Sequence, residues 1–207
     1  MSIEVKICGL TNRDDAQAAL DLGADYLGFV LYTKSPRAVS VEGLREILAR
    51  LPAGVRAVGV FVNERRGTVE AVARTCGLQA VQIHGDEERV EDFAGFPLKV
   101  WRAIRHESTG WIPSPDGWAA ERFLVDAAPP GRYGGAGKTA DWQEAARLAR
   151  RLPIMLAGGL TPDNVADAVR AVNPLGVDVV SGTESEPGRK DRAKMKRFID
   201  AARQAAG

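Results

Sequence analysis

Several features that would mark a special class of protein are missing from this sequence. It has only two cysteines, Cys8 and Cys76, which is too few for a disulfide framework and predicts a reducing compartment, the cytoplasm. Neither sign of charge dominates, since 28 lysines and arginines face 27 aspartates and glutamates, so we expect no binding to nucleic acid or to a membrane surface. No apolar run approaches membrane-spanning length, and the first residues do not resemble a signal peptide.

What is present is typical of a globular protein with a large core. The 207 residues are 45% hydrophobic and 27% charged, and no stretch looks like a linker, so we expect one domain over residues 1–207. Short apolar segments rich in β-branched residues alternate with amphipathic helical segments. The predicted strands cover residues 5–8, 25–31, 55–62, 78–84, 98–104, 122–127, 153–158 and 176–182. The predicted helices begin near Thr11, Ser40, Asp141, Thr161 and Asp191.

This alternation predicts the fold class α/β, with about eight parallel strands closed into a (β/α)8 TIM barrel. An open, doubly wound sheet is the rival, but it normally has a glycine fingerprint after its first strand, and CGLTNRDD does not supply one. The fifth connection, HESTGWIPSPDGW, contains two prolines and little helical periodicity. We therefore expect a short or irregular fifth helix there.

The first strand directs an unusual pair of side chains to one face. Ile3, Val5 and Ile7 share the face that should meet the helices, so Lys6 and Cys8 should point into the barrel. Cys8 would then lie at the carboxyl-end rim, where such barrels build their active sites. A lone cysteine is more often an inert small hydrophobe, but at an electropositive rim its thiol could accept a proton near neutral pH.

The sixth predicted strand ends in the same way, because alternation in FLVDAAP puts Asp126 on the face of Leu124. An aspartate in this position is often a helix cap. Here prolines and glycines follow instead of a helix, so Asp126 is also a candidate acid facing the candidate base Cys8 across the barrel mouth.

Two glycine-containing segments indicate a phosphate site. Gly158 and Gly159 precede a helix in LAGGLTPDN, and Ser181 and Gly182 follow the last strand in VVSGTE. Backbone N–H groups in such loops bind anions, and the loops after strands seven and eight are the usual phosphate position in this fold. The alternative is a pair of ordinary tight turns.

Further polar residues fall at the predicted rim. Arg37 in SPR is a candidate partner for a substrate carboxylate, and Gln82 and His84 end the fourth strand facing inward. Lys6 should favour a Cys8 thiolate or pair with a carboxylate inside the barrel such as Asp178.

Two kinds of bound group are not expected. No cluster has metal-ligand spacing, so we expect no metal. GGAGKT ends like a nucleotide-binding P-loop, but Arg132 stands where the pattern requires glycine, and a flexible loop over the rim is the better interpretation.

Over essentially the whole chain, a series of motifs resembles the phosphoribosylanthranilate isomerase family of tryptophan biosynthesis. In order, these motifs are KICGLT, GADYLGFV with SPR, VGVFVN, VQIHGDE, the VDA strand end, LAGGLTPDNV and SGTE with PG-x-KD. The resemblance implies an Amadori rearrangement of N-(5-phosphoribosyl)anthranilate without metal or organic cofactor. It implies Cys8 as general base, Asp126 as general acid and Arg37 near the anthranilate. Gly158, Gly159, Ser181 and Gly182 match its phosphate loops, and Gln82, His84 and Asp178 are candidate substrate contacts.

Two other functions remain possible from the sequence. A carbon–carbon bond-forming relative such as the indole-forming synthase would need lysines and a glutamate at several strand ends, and this chain offers only Lys6 and Lys99 inside strands. A non-catalytic barrel that binds phosphorylated ligands is the other. Action on the related histidine-pathway aminoaldose also stays open, as does the choice between monomer and homodimer. The small-molecule substrate is the only partner expected.

Overall fold

The computed structural model describes residues 3–85, 93–126 and 142–207, and its main feature is a closed barrel of parallel strands. The strands are β1 (Glu4–Ile7), β2 (Tyr26–Val30), β3 (Ala57–Val62), β4 (Ala80–His84), β5 (Lys99–Glu107), β6 (Gly110–Ile112), β7 (Arg122–Val125), β8 (Ile154–Leu156), β9 (Gly176–Val179), β10 (Glu184–Glu186) and β11 (Arg189–Lys190). The helices are α1 (Arg13–Asp21), α2 (Val41–Ala49), α3 (Arg66–Cys76), α4 (Trp142–Ala149), α5 (Val165–Val172) and α6 (Arg192–Ala206).

Eight of these strands form the barrel in the order β4-β3-β2-β1-β9-β8-β7-β5, and a parallel pairing of β4 with β5 closes it. Every neighbouring pair among the eight strands is parallel, because after each strand the chain returns to the amino-terminal end of the barrel before the next strand begins. The predicted (β/α)8 barrel is therefore confirmed. It brings the carboxyl ends of all eight strands to one mouth.

The connection between β5 and β7 has no α-helix, so the predicted short or irregular fifth helix is replaced by a strand. β5 runs on to Glu107 and turns back at Gly110, which has a φ of 113°, into antiparallel β6. Pro113 and Pro115 follow, and since proline lacks the N–H that a helix interior needs, this segment does not continue as a helix.

Two helix starts differ in detail from the sequence expectation. The cap of α1 is Asn12 rather than Thr11, and the Asn12 side chain accepts a hydrogen bond from the N–H of Asp15. The hydroxyl of Thr11 instead donates to the carbonyl of Gly188. α5 begins at Val165, after a turn that Thr161 opens: the Thr161 hydroxyl accepts from the N–H of Asp163 and its carbonyl accepts from the N–H of Val165. Ser40 and Asp191 cap α2 and α6 as predicted.

The core has two layers that follow the alternation of side chains along each strand. Ile3, Val5 and Ile7 pack outward against the helices, as the sequence predicted. A smaller apolar cluster fills the barrel interior, formed by Tyr26, Val58, Ala80, Trp101, Ala103, Leu124, Met155 and Ala157. The interior is therefore a packed core rather than a channel.

The amino-terminal end of the barrel is closed by a cation. The guanidinium carbon of Arg122 lies 5.0 Å from the ring centroid of Tyr26 and 5.0 Å from that of Trp101, and Glu4 forms an ion pair with it. The two rings belong to the apolar cluster, and the Arg122 guanidinium packs against them from the amino-terminal side. Among the described residues, the amino-terminal end of the barrel interior is therefore filled.

The end of β4 is held by a fully buried arginine. Arg102 on β5 donates hydrogen bonds to the carbonyls of Ile83, at 3.0 Å, and Gly85, at 2.9 Å, while its guanidinium stacks 4.8 Å from the ring centroid of Trp118. These two carbonyls flank His84. Arg102 therefore fixes the backbone that carries one of the predicted site residues.

No helix among residues 3–85, 93–126 and 142–207 combines the length and apolarity needed to cross a bilayer.

We expect Arg102→Met to lower the free energy of unfolding by about 3 kcal/mol, because two buried carbonyl groups lose their hydrogen-bond donors. Urea denaturation followed by circular dichroism measures the change. The matched control is Arg170→Met on α5, whose exposed guanidinium pairs with the exposed Asp167 and whose loss should not be measurable. Equal effects of the two substitutions would contradict the assigned role of Arg102.

Candidate active site at the carboxyl end of the barrel

The predicted catalytic and substrate-contact residues come together in one cavity at the carboxyl ends of the strands. Its polar lining residues are Cys8, Tyr32, Ser35, Arg37, Gln82, His84, Asp126 and Asp178. A second, smaller cavity adjoins it and shares Asp126 and Asp178 with it; its lining also includes Gly158, Gly159 and Ser181. A more open groove lies between α2 and α3 at the other end of the barrel, near Cys76, and contains none of these residues.

Cys8 follows β1 and is only 3% exposed, yet it lines the larger cavity. Its N–H donates to the carbonyl of Val179 at 2.9 Å, which fixes its backbone against β9. Behind it stands Gly28 on β2, where an added Cβ atom would lie 2.6 Å from the Cys8 Sγ. The thiol therefore occupies space that exists because residue 28 has no side chain.

The electrostatic surroundings of Cys8 are mixed. Burial raises the pKa of its thiol, and the positive charges of Lys6 and Lys190 oppose that rise without cancelling it. Desolvation, aided by the negative charge of Asp178, outweighs the two cations, so the pKa of Cys8 lies above its ordinary value.

Lys6 lies below Cys8 inside the barrel and is completely buried. Its Nζ is 2.8 Å from Asp178 Oδ1 and 2.9 Å from Gln82 Oε1, so the pairing with Asp178 that the sequence suggested is present. Burial alone would lower the pKa of Lys6, but the charges of Asp178 and Cys8 outweigh it and the pKa is raised. Gln82 and Asp178, which the sequence predicted as substrate contacts, thus also hold this cation.

Asp126 and His84 lie at the ends of strands two positions apart in the barrel, because β5 pairs with both β7 and β4. Asp126 follows β7 and is 8% exposed, and its N–H donates to the carbonyl of Ile104. His84 ends β4 and is half-buried. Cys8 and Asp126 come from strands three positions apart in the barrel, so one ligand in the cavity can touch both.

The two predicted phosphate loops contact each other. Gly158 and Gly159 have φ values of 80° and 66°, a backbone conformation that favours glycine, and the Asn164 side chain holds the carbonyl of Gly159. A Cβ atom at Gly182 would overlap the carbonyl oxygen of Leu160, so only glycine fits where the loops meet. Ser181 begins the short 3-10 helix Ser181–Thr183.

Arg37 lies in the loop after β2 and lines the larger cavity, but it is already paired. Its Nε and Nη2 each lie 2.7 Å from an oxygen of Glu184, which makes a bidentate ion pair. Lys190 is buried nearby, with its Nζ 2.7 Å from the Val180 carbonyl and 3.5 Å from Glu184. Two cations therefore share one carboxylate beside the mouth.

Residues 5–201 match the family model for N-(5'phosphoribosyl)anthranilate (PRA) isomerase. The chain belongs to this family. It is 47% identical to the N-(5'-phosphoribosyl)anthranilate isomerase of Roseiflexus castenholzii, with 98% of this chain and 99% of that protein covered.

Solved structures of the isomerase family agree in fold with this chain. The phosphoribosyl anthranilate isomerase of Thermotoga maritima is 38% identical, with a TM-score of 0.85 over 98% of this chain and 99% of that one. A phosphoribosyl anthranilate isomerase crystallised with reduced 1-(o-carboxyphenylamino)-1-deoxyribulose 5-phosphate is 35% identical, with a TM-score of 0.81 over 98% and 99% of the two chains.

Sequence reasoning about this isomerase family member missed three residues around the site. Gly28 is visible in the sequence only as a glycine inside a strand, a signal for close approach of another group. Glu184 and Lys190 lie in SGTE and PG-x-KD, which carried the resemblance but no role. Their positions beside Arg37 depend on the β10–β11 hairpin, and the local sequence pattern does not predict them.

Some expectations lie outside the residues that the structure describes. GGAGKT, expected as a loop over the rim, falls within residues 127–141, as does the predicted helix start at Asp141. Within the three described ranges, no group of three or more histidine, cysteine, aspartate or glutamate side chains is arranged to hold a metal ion.

We expect the Cys8 thiol to react with an alkylating reagent in a pH profile displaced upward. Because burial raises its pKa, the thiol form predominates at neutral pH, and half of the maximal rate should be reached above the ordinary value of about 8.5. The measurement uses a Cys76→Ser background so that only Cys8 reacts, with glutathione as reference. A midpoint at or below that of glutathione would contradict the burial argument.

Proposed function

We propose that the protein catalyses the Amadori rearrangement of N-(5'-phosphoribosyl)anthranilate to 1-(2-carboxyphenylamino)-1-deoxyribulose 5-phosphate, the third step of the anthranilate-to-tryptophan branch. The observation that carries the proposal is that Cys8 and Asp126 line one cavity and that the glycine loops adjoin it through Asp126. A base, an acid and an anion site around one volume are what isomerisation of a phosphorylated aminosugar requires.

In the first step Asp126, as the carboxylic acid, donates its proton to the ribose ring oxygen. The bond from that oxygen to C1' breaks, and the nitrogen lone pair forms the C1'=N double bond of a protonated Schiff base. Asp126 is left as carboxylate, and its position at the barrel mouth lets it act on a ring held above Leu124 and the apolar interior.

In the second step the Cys8 thiolate removes the proton at C2'. The electrons of that C–H bond form the C1'=C2' bond of an enamine, and the C1'=N electrons return to nitrogen. Tautomerisation then adds a proton at C1' while the C2' hydroxyl loses its own, which leaves the ketone at C2' of the ketose product. Lys6 and Lys190 favour the thiolate that this step needs, against the burial that raises the pKa of Cys8.

The substrate's two anionic ends have separate partners in this proposal. The phosphate would accept hydrogen bonds from the backbone N–H groups of Gly158, Gly159 and Ser181, which line the smaller cavity, and of the adjacent Gly182, as in other barrels of this fold. The anthranilate carboxylate would pair with Arg37. His84, Gln82 and Asp178 complete the lining around the sugar.

Several wider features belong to the same proposal. The substrate is a small molecule, the chemistry needs no metal or organic cofactor, and residues 1–207 act as one domain in the cytoplasm, as monomer or homodimer. The paired interior lysine favours the isomerase over the indole-forming synthase, because Lys6 is occupied by Asp178 and Gln82 rather than directed at a ligand.

We expect Cys8→Ala and Asp126→Asn each to reduce turnover by at least about 10³-fold, because each removes one proton-transfer group. Both variants should still bind the reduced product 1-(o-carboxyphenylamino)-1-deoxyribulose 5-phosphate. Chromatographic detection of the ketose product and growth of a tryptophan auxotroph lacking the isomerase measure the effect. Cys76→Ser is the control and should keep wild-type turnover; formation of an indole product, or near wild-type turnover of either variant, would refute the assignment.

We expect Gly28→Ala to lower kcat while leaving the fold intact, because its methyl group would displace the Cys8 Sγ that now lies 2.6 Å from the added Cβ position. A displacement of the base by less than 1 Å should cost on the order of tenfold or more in kcat. Steady-state kinetics measure it. The control is Gly67→Ala at the start of α3, where nothing lies within 4 Å of the added atom; an unaltered kcat in Gly28→Ala would show that Cys8 does not need this space.

A further inference from the structure

We propose that Glu184 is a positioning residue that holds the Arg37 guanidinium in the orientation required to bind the substrate's carboxylate. The inference rests on the proposed function and extends it to a residue that the acid–base mechanism does not use.

Two parallel hydrogen bonds join the side chains of Arg37 and Glu184. Arg37 Nε lies 2.7 Å from Glu184 Oε1, and Nη2 lies 2.7 Å from Oε2, so one edge of the planar guanidinium is fully engaged. The Arg37 stem also packs on Gly9, where an added Cβ atom would lie 2.9 Å from Arg37 Cδ. Stem and head are thus both restrained, and the guanidinium has little freedom to rotate.

Glu184 is itself anchored, which argues against a mobile carboxylate that merely occupies Arg37 until substrate arrives. The residue is 7% exposed, its Oε1 accepts the Gly188 N–H at 3.3 Å, and Lys190 Nζ lies 3.5 Å from the same oxygen. Its backbone carbonyl accepts from Lys194 at the start of α6. These contacts hold the Glu184 side chain in place at the β10–β11 hairpin.

The guanidinium keeps donors for a second anion. Of its five N–H groups, the Nε hydrogen and one Nη2 hydrogen are directed at Glu184, which leaves three on the remaining edges. Arg37 lines the cavity that contains Cys8, so those edges are the ones available to a ligand there. Because Arg37 and Lys190 together outnumber Glu184 by one charge, the cluster stays net positive toward an arriving carboxylate.

The test compares two probes that differ only in the carboxylate. These are reduced 1-(o-carboxyphenylamino)-1-deoxyribulose 5-phosphate and its counterpart without the carboxyl group, measured by isothermal titration calorimetry. For Glu184→Gln we expect the Kd of the first probe to rise roughly tenfold while that of the second changes less than about twofold. With the natural substrate, KM should rise more than kcat falls.

Two further variants keep the inference falsifiable. Glu184→Asp keeps the negative charge but shortens the side chain by one methylene, so we expect an intermediate rise in the Kd of the carboxylated probe. The same variant tests the inference if Glu184→Gln does not fold. The matched control is Glu121→Gln, the same substitution at a glutamate that pairs with Lys99 at 2.6 Å at the amino-terminal end of the barrel, and it should change neither Kd.

The possible results separate the inference from the proposed function. Equal weakening of both probes would mean that Glu184 only supports the fold, and unchanged or tighter binding of the carboxylated probe would mean that it competes with substrate; either result overturns the inference alone. A wild-type protein that neither binds the carboxylated probe nor forms ketose overturns the proposed function, and the inference with it.

Discussion

The carboxyl end of this barrel depends on the contacts that the Lys6 ammonium group makes inside the barrel. This group lies beneath the mouth, completely buried, and binds Asp178 on β9 and Gln82 on β4. A cation in such a place would be costly without its partners, so the three side chains hold one another in place across the barrel. The mouth residues rest on this layer, and its positive charge acts on the thiol directly above it.

Charge is arranged in layers along the barrel axis. Arg122 closes the amino-terminal end against the rings of Tyr26 and Trp101, which belong to the apolar layer of the interior, and Lys6 with its partners lies beneath the mouth. The candidate catalytic and binding groups lie at the mouth. The described interior below is filled, and the phosphate loops and the candidate acid and base lie at the carboxyl end.

The competition between burial and charge at Cys8 connects the fold with the chemistry. A thiol that is buried but flanked by cations remains mostly protonated in the ligand-free protein and becomes a strong base once it ionises. The pair of Arg37 and Glu184 shows the opposite balance. Burial acts to raise the pKa of Glu184, but the hydrogen bonds from Arg37 and the charge of Lys190 outweigh it, so the pKa is lowered and Glu184 stays an anion.

The sequence by itself determined the barrel, the membership in the isomerase family and the side chains that face inward, since strand alternation and strand ends are local properties. It placed Cys8, Asp126 and the glycine loops at one rim, and their catalytic and binding roles stay predictions. Only the tertiary structure decided that Glu184, 147 residues away along the chain, binds Arg37, that Gly28 makes room for Cys8, and that β6 replaces a helix. Such contacts join segments remote in sequence, and no local pattern of residues specifies which distant side chain will meet which.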